Sequence, residues 1–365
     1  MSLQPTTLEE LQEMITANRS LLPVGGGTKP ALSAASNGAT RLDMSHLSGL
    51  IEYEPGEYTF TAYAGTPVRD IVAALAEHGQ YLPFDPPLVE RGATLGGVVA
   101  ANTAGSGRYR YGGVRDFIIG VRFVDGRSQL VRGGGKVVKN AAGFDLPKFM
   151  VGSAGRFGAF VDLSFKVFPE PRAYVTLKAV FPGLGPALGA ISSLFTAPNE
   201  MDVLDLEPLA DGRFSLIARL GGLSSALPGR IERLQSFLYA KTEAVSHEVI
   251  QAEADAALWQ QVNAFAWVED GLSLVKVPIS PKRIPLLENV VHGLAPRRRY
   301  TAGGNIAWLA VSDIDSLDAV LNTVNLPGVV LFGPPGRPFI GPRPGVSLAR
   351  RVKQALDPSG KFLEI

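Results

Sequence analysis

The chain contains no cysteine, and this absence removes several kinds of redox site. Without thiolates it can form no disulfide, no cysteine-ligated zinc site, no iron–sulfur cluster of its own and no cysteinyl bond to a cofactor. Histidine is nearly as scarce, and the four copies are far apart in sequence and match no metal-binding spacing: His46, His78, His247 and His292. Redox chemistry would therefore have to come from a bound organic cofactor.

A strong net charge and long hydrophobic runs are also missing. The 35 Lys and Arg against 34 Asp and Glu leave a net charge of +1, too small to attract nucleic acid or an anionic membrane. No apolar run reaches the roughly 18 residues that a membrane-spanning helix needs. Thr7 and Glu10 have the spacing of a helix cap, which predicts an amphipathic helix rather than a signal peptide. We expect a cytoplasmic protein without a nucleic-acid partner.

Glycine, by contrast, is abundant and concentrated. Of 41 glycines in 365 residues, 16 lie between Arg91 and Gly158. They follow no repeat period, which excludes a collagen-like structure, and the many aliphatic residues among them exclude disorder. Glycine at this density is typical of loops whose backbone closely approaches a ligand. We therefore expect the functional site in this segment.

The pattern of predicted elements divides the chain into two domains and a tail. Up to Phe168 short strands alternate with glycine loops and few helices, which predicts an α+β domain over residues 1–171. Beyond Pro171 helices alternate with antiparallel-looking strands in two rounds, which predicts a ferredoxin-like α+β domain, with its helices on one face, over residues 172–345. Residues 346–365 begin with a short helix, and we expect this tail to pack back on the first domain.

The first glycine loop, Gly25–Gly27, directly follows a short buried strand. Consecutive glycines leave backbone N–H groups uncovered, and such a nest binds phosphate or pyrophosphate. Lys29 adds a positive charge at its rim. A nucleotide-triphosphate loop is excluded because Thr28 precedes Lys29, and a Rossmann loop is excluded because the segment runs into Pro30 instead of a long helix. A phosphate site and a plain turn both stay open for this loop taken alone.

A second group of small residues runs from Arg91 to Asn102 and continues into Gly105–Asp116. Small residues stand there at positions where a bulky side chain would hold the backbone away from a planar or charged ligand. Together with the first loop, this segment predicts a crowded, backbone-lined cleft.

Successive blocks of the chain resemble the FAD-binding domain of the vanillyl-alcohol oxidase and p-cresol methylhydroxylase type, in the same order. The blocks are Pro23–Lys29, Ala93–Gly97, Tyr111–Asp116, Lys139–Lys148 and Val151–Gly158. Two further motifs, Phe84–Pro87 and Gly303–Trp308, resemble the FAD-binding subunits of bacterial glycolate oxidases. With these motifs the resemblance covers nearly the whole chain.

The resemblance implies a two-lobed FAD-binding domain of the p-cresol methylhydroxylase type, followed by the ferredoxin-like α+β domain. It places FAD contacts at Val24, Gly25, Gly26, Gly27, Thr28, Lys29, Pro87, Ala93, Thr94, Gly96, Gly97, Ala101, Asn102, Gly105, Gly112 and Val161. In the family's arrangement Gly25–Thr28 would hold the pyrophosphate, and Thr94–Asn102 would run along the pyrophosphate and the isoalloxazine. The backbone of Val161 would contact the cofactor through its N–H and C=O groups.

Two details of the resemblance concern the attachment of the flavin and its surroundings. Family members with covalent FAD carry a histidine in the first glycine loop, whereas this chain has Thr28 there, so the FAD is expected to be non-covalent. Arg115 and Asp116 would form an ion pair beneath the site. The family's C-terminal motif survives only as Asp357–Phe362, so one cofactor contact is expected to be missing.

The resemblance also implies partners. A paralogous flavin-containing catalytic subunit and an iron–sulfur subunit would join this chain in oxidising glycolate, a 2-hydroxyacid, to glyoxylate. Related 2-hydroxyacid dehydrogenases hold the hydroxyacid with a histidine-rich metal site in the second domain, whereas that domain has only His247 and His292 here. The hydroxyacid is therefore expected on the partner, and this chain receives no catalytic residue and no metal ligand. Any association with the inner membrane would be peripheral and through the complex.

Two functions stay open at this point. The chain could be a subunit whose FAD transfers electrons, which the intact glycine blocks favour, or a scaffold and assembly subunit whose FAD is structural. The triplet Arg297–Arg299 is predicted to form a solvated face, with a patch that docks a carboxylate or a partner as the alternative.

Overall fold

The computed structural model describes residues 2–34, 38–135 and 144–365. The helices of this part, numbered in chain order, are α1 (Leu8–Ala17), α2 (Pro30–Ser33), α3 (Val68–Ala76), α4 (Leu95–Ala101), α5 (Arg108–Tyr111), α6 (Val114–Phe117), α7 (Leu146–Met150), α8 (Leu184–Thr196), α9 (Leu227–Lys241), α10 (Glu253–Asn263), α11 (Ile284–Val291), α12 (Ile314–Thr323) and α13 (Val346–Leu356). Single 3₁₀ turns occur at Met44–His46, Pro55–Glu57 and Pro281–Arg283. No helix of the described part is long and apolar enough to cross a membrane.

The strands of the described part form four sheets. They are β1 (Ser2–Leu3), β2 (Leu21–Val24), β3 (Thr40–Asp43), β4 (Leu50–Glu54), β5 (Thr59–Tyr63), β6 (Gln80–Tyr81), β7 (Ile118–Val124), β8 (Leu130–Gly134), β9 (Ala159–Lys166), β10 (Phe168–Pro169), β11 (Ala173–Phe181), β12 (Val203–Pro208), β13 (Phe214–Gly222), β14 (Ser246–Gln251), β15 (Ser273–Pro278), β16 (Arg297–Thr301), β17 (Ile306–Val311), β18 (Gly328–Phe332) and β19 (Phe339–Ile340). The mixture of helices and strands confirms the predicted α+β class.

The first half of the chain has two main sheets. A parallel sheet with the order β1-β3-β2 lies under α1, and an antiparallel sheet with the order β4-β5-β9-β7-β8 forms the second lobe. A tight turn at Asp125-Gly126 joins β7 to β8, and the Asp125 carboxylate accepts the N–H groups of Arg127 and Gln129. Helix α4 contacts β5 and β9, so it packs against the second lobe.

The second half is one antiparallel sheet of nine strands, in the order β14-β11-β13-β12-β16-β17-β15-β18-β19. It is built from two βαββαβ units, one from β11 to β14 and the other from β15 to β18. The units have the same strand order, and they join edge to edge where β12 pairs with β16 through Leu206 and Tyr300. Helices α8, α9, α11 and α12 bury their apolar residues on one face of the sheet. The predicted ferredoxin-like arrangement therefore occurs twice, in tandem.

Strand β16 corrects the prediction of a solvated face at the arginine triplet. Only Arg297 is exposed, because Arg298 and Arg299 lie inside the sheet and are 8% and 5% exposed. The Arg298 guanidinium donates to both carboxylate oxygens of Glu288, each at 2.6 Å. On the opposite face of the sheet, Arg299 donates to Asp205 (3.1 Å) and its Nη1 to Glu207 (2.6 Å). A carboxylate partner for each guanidinium is what allows these charges to be buried.

The C-terminal segment contacts the first half of the chain. The Lys361 ammonium donates to the carbonyl oxygens of Ile15, Thr16 and Asn18 at the end of α1. Phe362 is 1% exposed and packs with the apolar residues of the parallel sheet. These contacts agree with the expected position of the tail, while the domain boundaries at residues 171 and 345 stay predictions.

Candidate functional site

A cleft lies between the loop that follows β2, the N-terminal turns of α4 and the loop that precedes β9. It consists of two adjoining cavities with about 440 and 360 Å³ of empty space, part of it open to solvent. The two cavities share walls at Val24, Gly25, Thr94 and Gly97, so they form one continuous groove. The first glycine loop and the second glycine segment therefore meet at one site, as the sequence predicted.

The glycines of the first loop serve mainly to let two loops approach each other. A Cβ at Gly25 would lie 2.0 Å from Oγ1 of Thr94, and a Cβ at Gly26 would lie 1.9 Å from the carbonyl oxygen of Gly92. Gly27 has a φ of 65°, a left-handed conformation that favours glycine. At Gly25 and Gly26, then, the space a side chain would need is filled by neighbouring protein and not by a ligand.

Backbone donors of the first loop are free to face a ligand. The N–H groups of Gly26, Gly27 and Thr28 donate to no group in the described part of the chain. Gly26 is exposed and Gly27 and Thr28 are half-buried, so the three groups are accessible from the cleft. Unpartnered N–H groups in a row form a site for an anionic oxygen.

Gly97 is the glycine whose missing side chain keeps the cleft open. It lines both cavities, and a Cβ there would meet only Oγ1 of Thr94, at 3.1 Å. Thr94 caps α4 by accepting the N–H of Gly97 at 3.3 Å. The neighbouring Gly96 is different, because a Cβ at this position would lie 2.9 Å from Ala64 in the second lobe.

Positive charge is concentrated on one side of the cleft. Lys29 is 5% exposed, and among the described residues its ammonium donates only to Oγ1 of Thr28, at 3.2 Å. Burial lowers the pKa of Lys29 to about 8. A buried ammonium without a carboxylate partner is stabilised when an anion enters beside it.

A second buried lysine reaches the cleft from the nine-stranded sheet. Lys276 of β15 donates to the carbonyl oxygens of Asn102 (2.7 Å) and Ala101 (3.5 Å), at the end of α4. Burial, together with the charges of Arg108 and Lys29, lowers the pKa of Lys276 to about 7. The three cations therefore repel one another, which favours an anionic ligand in their midst.

The structure brings most of the predicted cofactor contacts together. Those that line the groove are Val24, Gly25, Gly26, Gly27, Thr28, Lys29, Thr94, Gly96, Gly97 and Ala101. Those that do not line it are Pro87, Ala93, Asn102, Gly105, Gly112 and Val161. Among these, Val161 already uses its carbonyl oxygen to accept the N–H of Ala64, and Gly105 donates to Phe84 and Asp85. Roles of these residues in cofactor binding stay predictions.

Some wall residues were not among the predicted contacts. They are Pro23, Leu32, Ser33, Met44, Ala64, Ala100, Ala154, Gly155, Gly158 and Phe160. Pro23 and the residues at 154–158 belong to blocks that carried the resemblance, so the motif order could have indicated them. Met44 follows β3 and reaches the groove only because β3 pairs with β2, which no local pattern shows.

The expected ion pair between Arg115 and Asp116 is not formed. Asp116 instead accepts the N–H of Gly113 at 2.7 Å and so caps the short helix α6. Both Arg115 and Asp116 are exposed, where an ion pair contributes little. The residues at 136–143, which include the first half of the block at Lys139–Lys148, lie outside the described residues.

Comparison with known proteins identifies the family. The FAD binding domain family matches residues 1–134. The glycolate oxidase subunit GlcE of Escherichia coli strain K12 is 32% identical over 359 residues, which cover 97% of this chain and 94% of that protein. The chain belongs to the GlcE family. FAD is its cofactor, and the resemblance drawn from the sequence blocks is confirmed.

Two further comparisons show a second related protein and a solved structure with a similar fold. The glycolate oxidase subunit GlcD of Bacillus subtilis strain 168 is 25% identical over 272 residues, which cover 69% of this chain and 57% of that protein. A solved structure of alkyldihydroxyacetonephosphate synthase superposes with a TM-score of 0.72 over 98% of this chain and 74% of that one, at 14% identity. The second likeness concerns the fold alone, and it confirms the predicted two-domain FAD-binding fold.

The residues of the groove suit FAD independently of the comparisons with known proteins. Three unpartnered N–H groups at Gly26–Thr28 and the buried ammonium of Lys29 suit a pyrophosphate, and Gly97 leaves room beside them. The groove extends from Lys29 and Ser33 in the first cavity to Met44 and Phe160 in the second.

Proposed function

We propose that this protein is the FAD-binding redox subunit of a glycolate oxidase complex and takes part in the oxidation of glycolate to glyoxylate by passing electrons through its flavin. The observation that carries the proposal is the groove itself, with its unpartnered N–H groups, its buried lysines and the open position at Gly97. Membership of the GlcE family supports the substrate class.

In this proposal the residues of the chain bind and position the cofactor. The N–H groups of Gly26–Thr28 donate to the pyrophosphate, and the Lys29 ammonium balances its charge. When bound, FAD supplies the electron-transfer chemistry of its isoalloxazine ring. Lys276 places positive charge at the end of α4, where it donates to the carbonyl oxygens of Ala101 and Asn102.

Hydroxyacid binding is assigned to a partner in this proposal. His247 lies on the outer strand β14, where its ring packs against Tyr239 with 4.0 Å between centroids. His292 follows α11 and is exposed. The two histidines thus belong to separate elements and neither faces the groove. A paralogous flavin subunit would bind the hydroxyacid, and an iron–sulfur subunit would accept the electrons; any contact with the membrane would be through this complex.

Anaerobic bleaching of the flavin tests whether the hydroxyacid is oxidised on this chain or on a partner subunit. The isolated, FAD-loaded chain should keep its visible flavin absorbance when glycolate or D-lactate is added, although a chemical reductant should bleach it. Adding the partner subunits should restore bleaching by glycolate. Rapid bleaching of the lone chain by glycolate would place hydroxyacid oxidation on this chain and overturn the assignment to the partner.

A structural role of the FAD is the competing function. The variant Gly97→Val distinguishes the redox function from the structural one, because its side chain should weaken FAD binding with little effect on the fold. A Cβ at Gly97 meets no other part of the fold within 4 Å except Thr94. If the flavin transfers electrons, the assembled complex with Gly97→Val should lose glycolate-dependent dye reduction while its subunits stay together. A complex that loosens but retains turnover per assembled particle would support the scaffold.

A further inference from the structure

A separate cavity, here called the arginine cavity, lies beside the flavin groove. It has a volume of about 330 Å³ and lies between the loop after α7, the strands β18 and β19, and the start of α13. Ala154 lines the flavin groove, whereas its neighbours Ser153 and Arg156 line the arginine cavity. One loop therefore separates the two spaces, and the flavin groove does not account for the second.

Two guanidinium groups give this cavity a positive charge. The Cζ atoms of Arg156 and Arg343 lie 4.9 and 4.7 Å from the centroid of the Phe339 ring. Neither arginine forms an ion pair within residues 2–34, 38–135 and 144–365, and no aspartate or glutamate of those residues lines the cavity. The carboxylate of Ile365, which also lines the cavity, is within ion-pair distance of neither arginine, so both guanidinium groups remain available to a ligand.

Arg156 is the buried member of the pair. It is 7% exposed, and it donates from Nε to the carbonyl oxygen of Glu364 and from Nη1 to that of Ala154. Its Nη2 donates to no described group. Burial, with the charge of Arg343, lowers the pKa of Arg156 to about 10. An anion beside it would stabilise the charged form.

A hydroxyl without a partner points to the same space. Ser153 is 4% exposed and lines the arginine cavity, yet its Oγ has no hydrogen-bond partner in the described part of the chain. Buried hydroxyl groups are normally satisfied, so an unsatisfied one beside two guanidinium groups indicates an oxygen acceptor that binds there.

The rest of the wall is apolar. It is formed by Phe149, Phe157, Val329, Phe339 and Ile340, together with prolines. An inorganic anion would leave this surface unused. A cavity of about 330 Å³ is at the small end of the range for organic ligands, and it has room for a single ring or a short chain.

We propose that the arginine cavity binds a small organic carboxylate with an apolar body, separately from FAD. Arg156 and Arg343 hold the carboxylate, because guanidinium groups match its two oxygens, and the Ser153 hydroxyl donates to it. The apolar body lies against the Phe339 side of the wall. The site does not depend on the proposed redox function.

Calorimetric titration of the full, FAD-loaded chain with benzoate tests this proposal. Benzoate should bind, and benzamide, which has the same shape without the charge, should bind about tenfold more weakly or not at all. Arg343→Gln should weaken benzoate binding about tenfold, and its exposed position makes a folded variant the expected result. Arg351→Gln is the matched control, since Arg351 is exposed on α13 and does not line the cavity.

A second variant and a displacement measurement distinguish binding in the arginine cavity from binding in the flavin groove. Ser153→Ala should weaken benzoate binding while FAD affinity stays unchanged. Equal benzoate binding by Arg343→Gln and the unmodified chain would overturn the proposal. Release of fluorescent FAD by benzoate would also overturn it, because benzoate would then bind in the flavin groove. Sulfate that binds as tightly as benzoate would overturn it as well, because the apolar wall would then have no role.

Discussion

The ammonium of Lys276 lies 2.7 Å from the carbonyl oxygen of Asn102, which joins the middle of the nine-stranded sheet to the end of the helix beside the flavin groove. The two residues are 174 positions apart in the chain. Lys276 takes the place that a solvent molecule or a C-terminal cap would have at this helix end. The groove is thus completed by a residue of the second half, and its charge depends on how the two halves pack.

Acid treatment of the yellow protein should release all its flavin as FAD. Thr28 stands where covalently flavinylated members of the wider family have a histidine, and the chain has no cysteine for a second link. The supernatant after acid precipitation is analysed by chromatography against FAD and FMN standards. Flavin that stays on the denatured chain, or FMN in the supernatant, contradicts this prediction.

Gly97→Val should weaken FAD binding by roughly ten- to a hundredfold, the equivalent of about 1.5–3 kcal/mol for one lost hydrogen bond to a charged group. The added side chain enters the groove and displaces the pyrophosphate from the backbone donors. Fluorescence titration of the apoprotein measures the affinity. Gly189→Val on α8, where a Cβ meets nothing within 4 Å, is the control and should bind FAD normally. Unchanged affinity in Gly97→Val would remove Gly97 from the site.

Gly26→Ala should act differently, by destabilising the apoprotein itself. Its Cβ would lie 1.9 Å from the carbonyl oxygen of Gly92, so one of the two loops must shift. Overpacking of this kind costs about 1–3 kcal/mol. Denaturant unfolding without FAD is the measurement, compared with Gly97→Val. Apoprotein stability equal to that of the unmodified chain would show that the two loops do not pack as described.

FAD binding should become weaker as the pH rises above about 8, because burial lowers the pKa of Lys29 to about 8 and only the ammonium balances the pyrophosphate. FAD raises that pKa, so binding near pH 8 takes up protons; calorimetry in two buffers of different ionisation enthalpy measures the uptake. Lys29→Met should lose the uptake attributable to this group, whereas Lys166→Met, an exposed lysine, should keep it. If Lys29→Met takes up as many protons on FAD binding as the unmodified chain, Lys29 does not interact with the cofactor.

In the absence of FAD the same lysine should affect folding in the opposite direction. The pKa of Lys29 is lower in the folded than in the unfolded chain, so the unfolded chain holds more protons between about pH 8 and the ordinary lysine value. The contribution of Lys29 to the free energy of unfolding therefore increases with pH across this window. Comparing the unfolding of the unmodified apoprotein and of Lys29→Met at several pH values measures that contribution, and identical pH slopes would contradict it.

Arg298→Met should destabilise the protein by about 3–5 kcal/mol, because it leaves the Glu288 carboxylate buried without its partner. The neighbouring Arg297→Met is the matched control. Arg297 is exposed, so its loss should change the free energy of unfolding by about 0.5 kcal/mol or less. Urea unfolding of both variants gives the comparison, and similar stabilities for the two would show that Arg298 is not buried in the folded protein.

Much of the second half could be predicted from the sequence because its helices and strands have clear apolar periods. Strand β16 was the exception. Its triplet Arg297–Arg299 is typical of a solvated segment, and only the carboxylates of Glu288, Asp205 and Glu207, supplied by other elements, explain its burial. Ion pairs between residues that are distant in the chain cannot be predicted from a local sequence pattern.

The candidate site was predictable where its residues lie in continuous motifs. The loop from Gly25 to Lys29 and the segment from Thr94 to Ala101 could be paired through the resemblance. Lys276 could not, because nothing in the sequence of β15 distinguishes it from a surface lysine of an alternating strand. The contact between Gly26 and the Gly92 backbone could not be predicted either, because no local pattern shows that the two loops pack against each other.

The joining of the two βαββαβ units has a consequence for solubility. Two separate units would present four outer strands with unpaired backbone groups, whereas the joined sheet presents only β14 and β19, and β19 is two residues long. Ion pairs from Arg299 to Asp205 and Glu207 cross the seam, where the backbone pairing of β12 and β16 is short. If the seam opened, β12 and β16 would become exposed templates for pairing with other chains. Damage there would therefore lead to aggregation, not to two independent working domains.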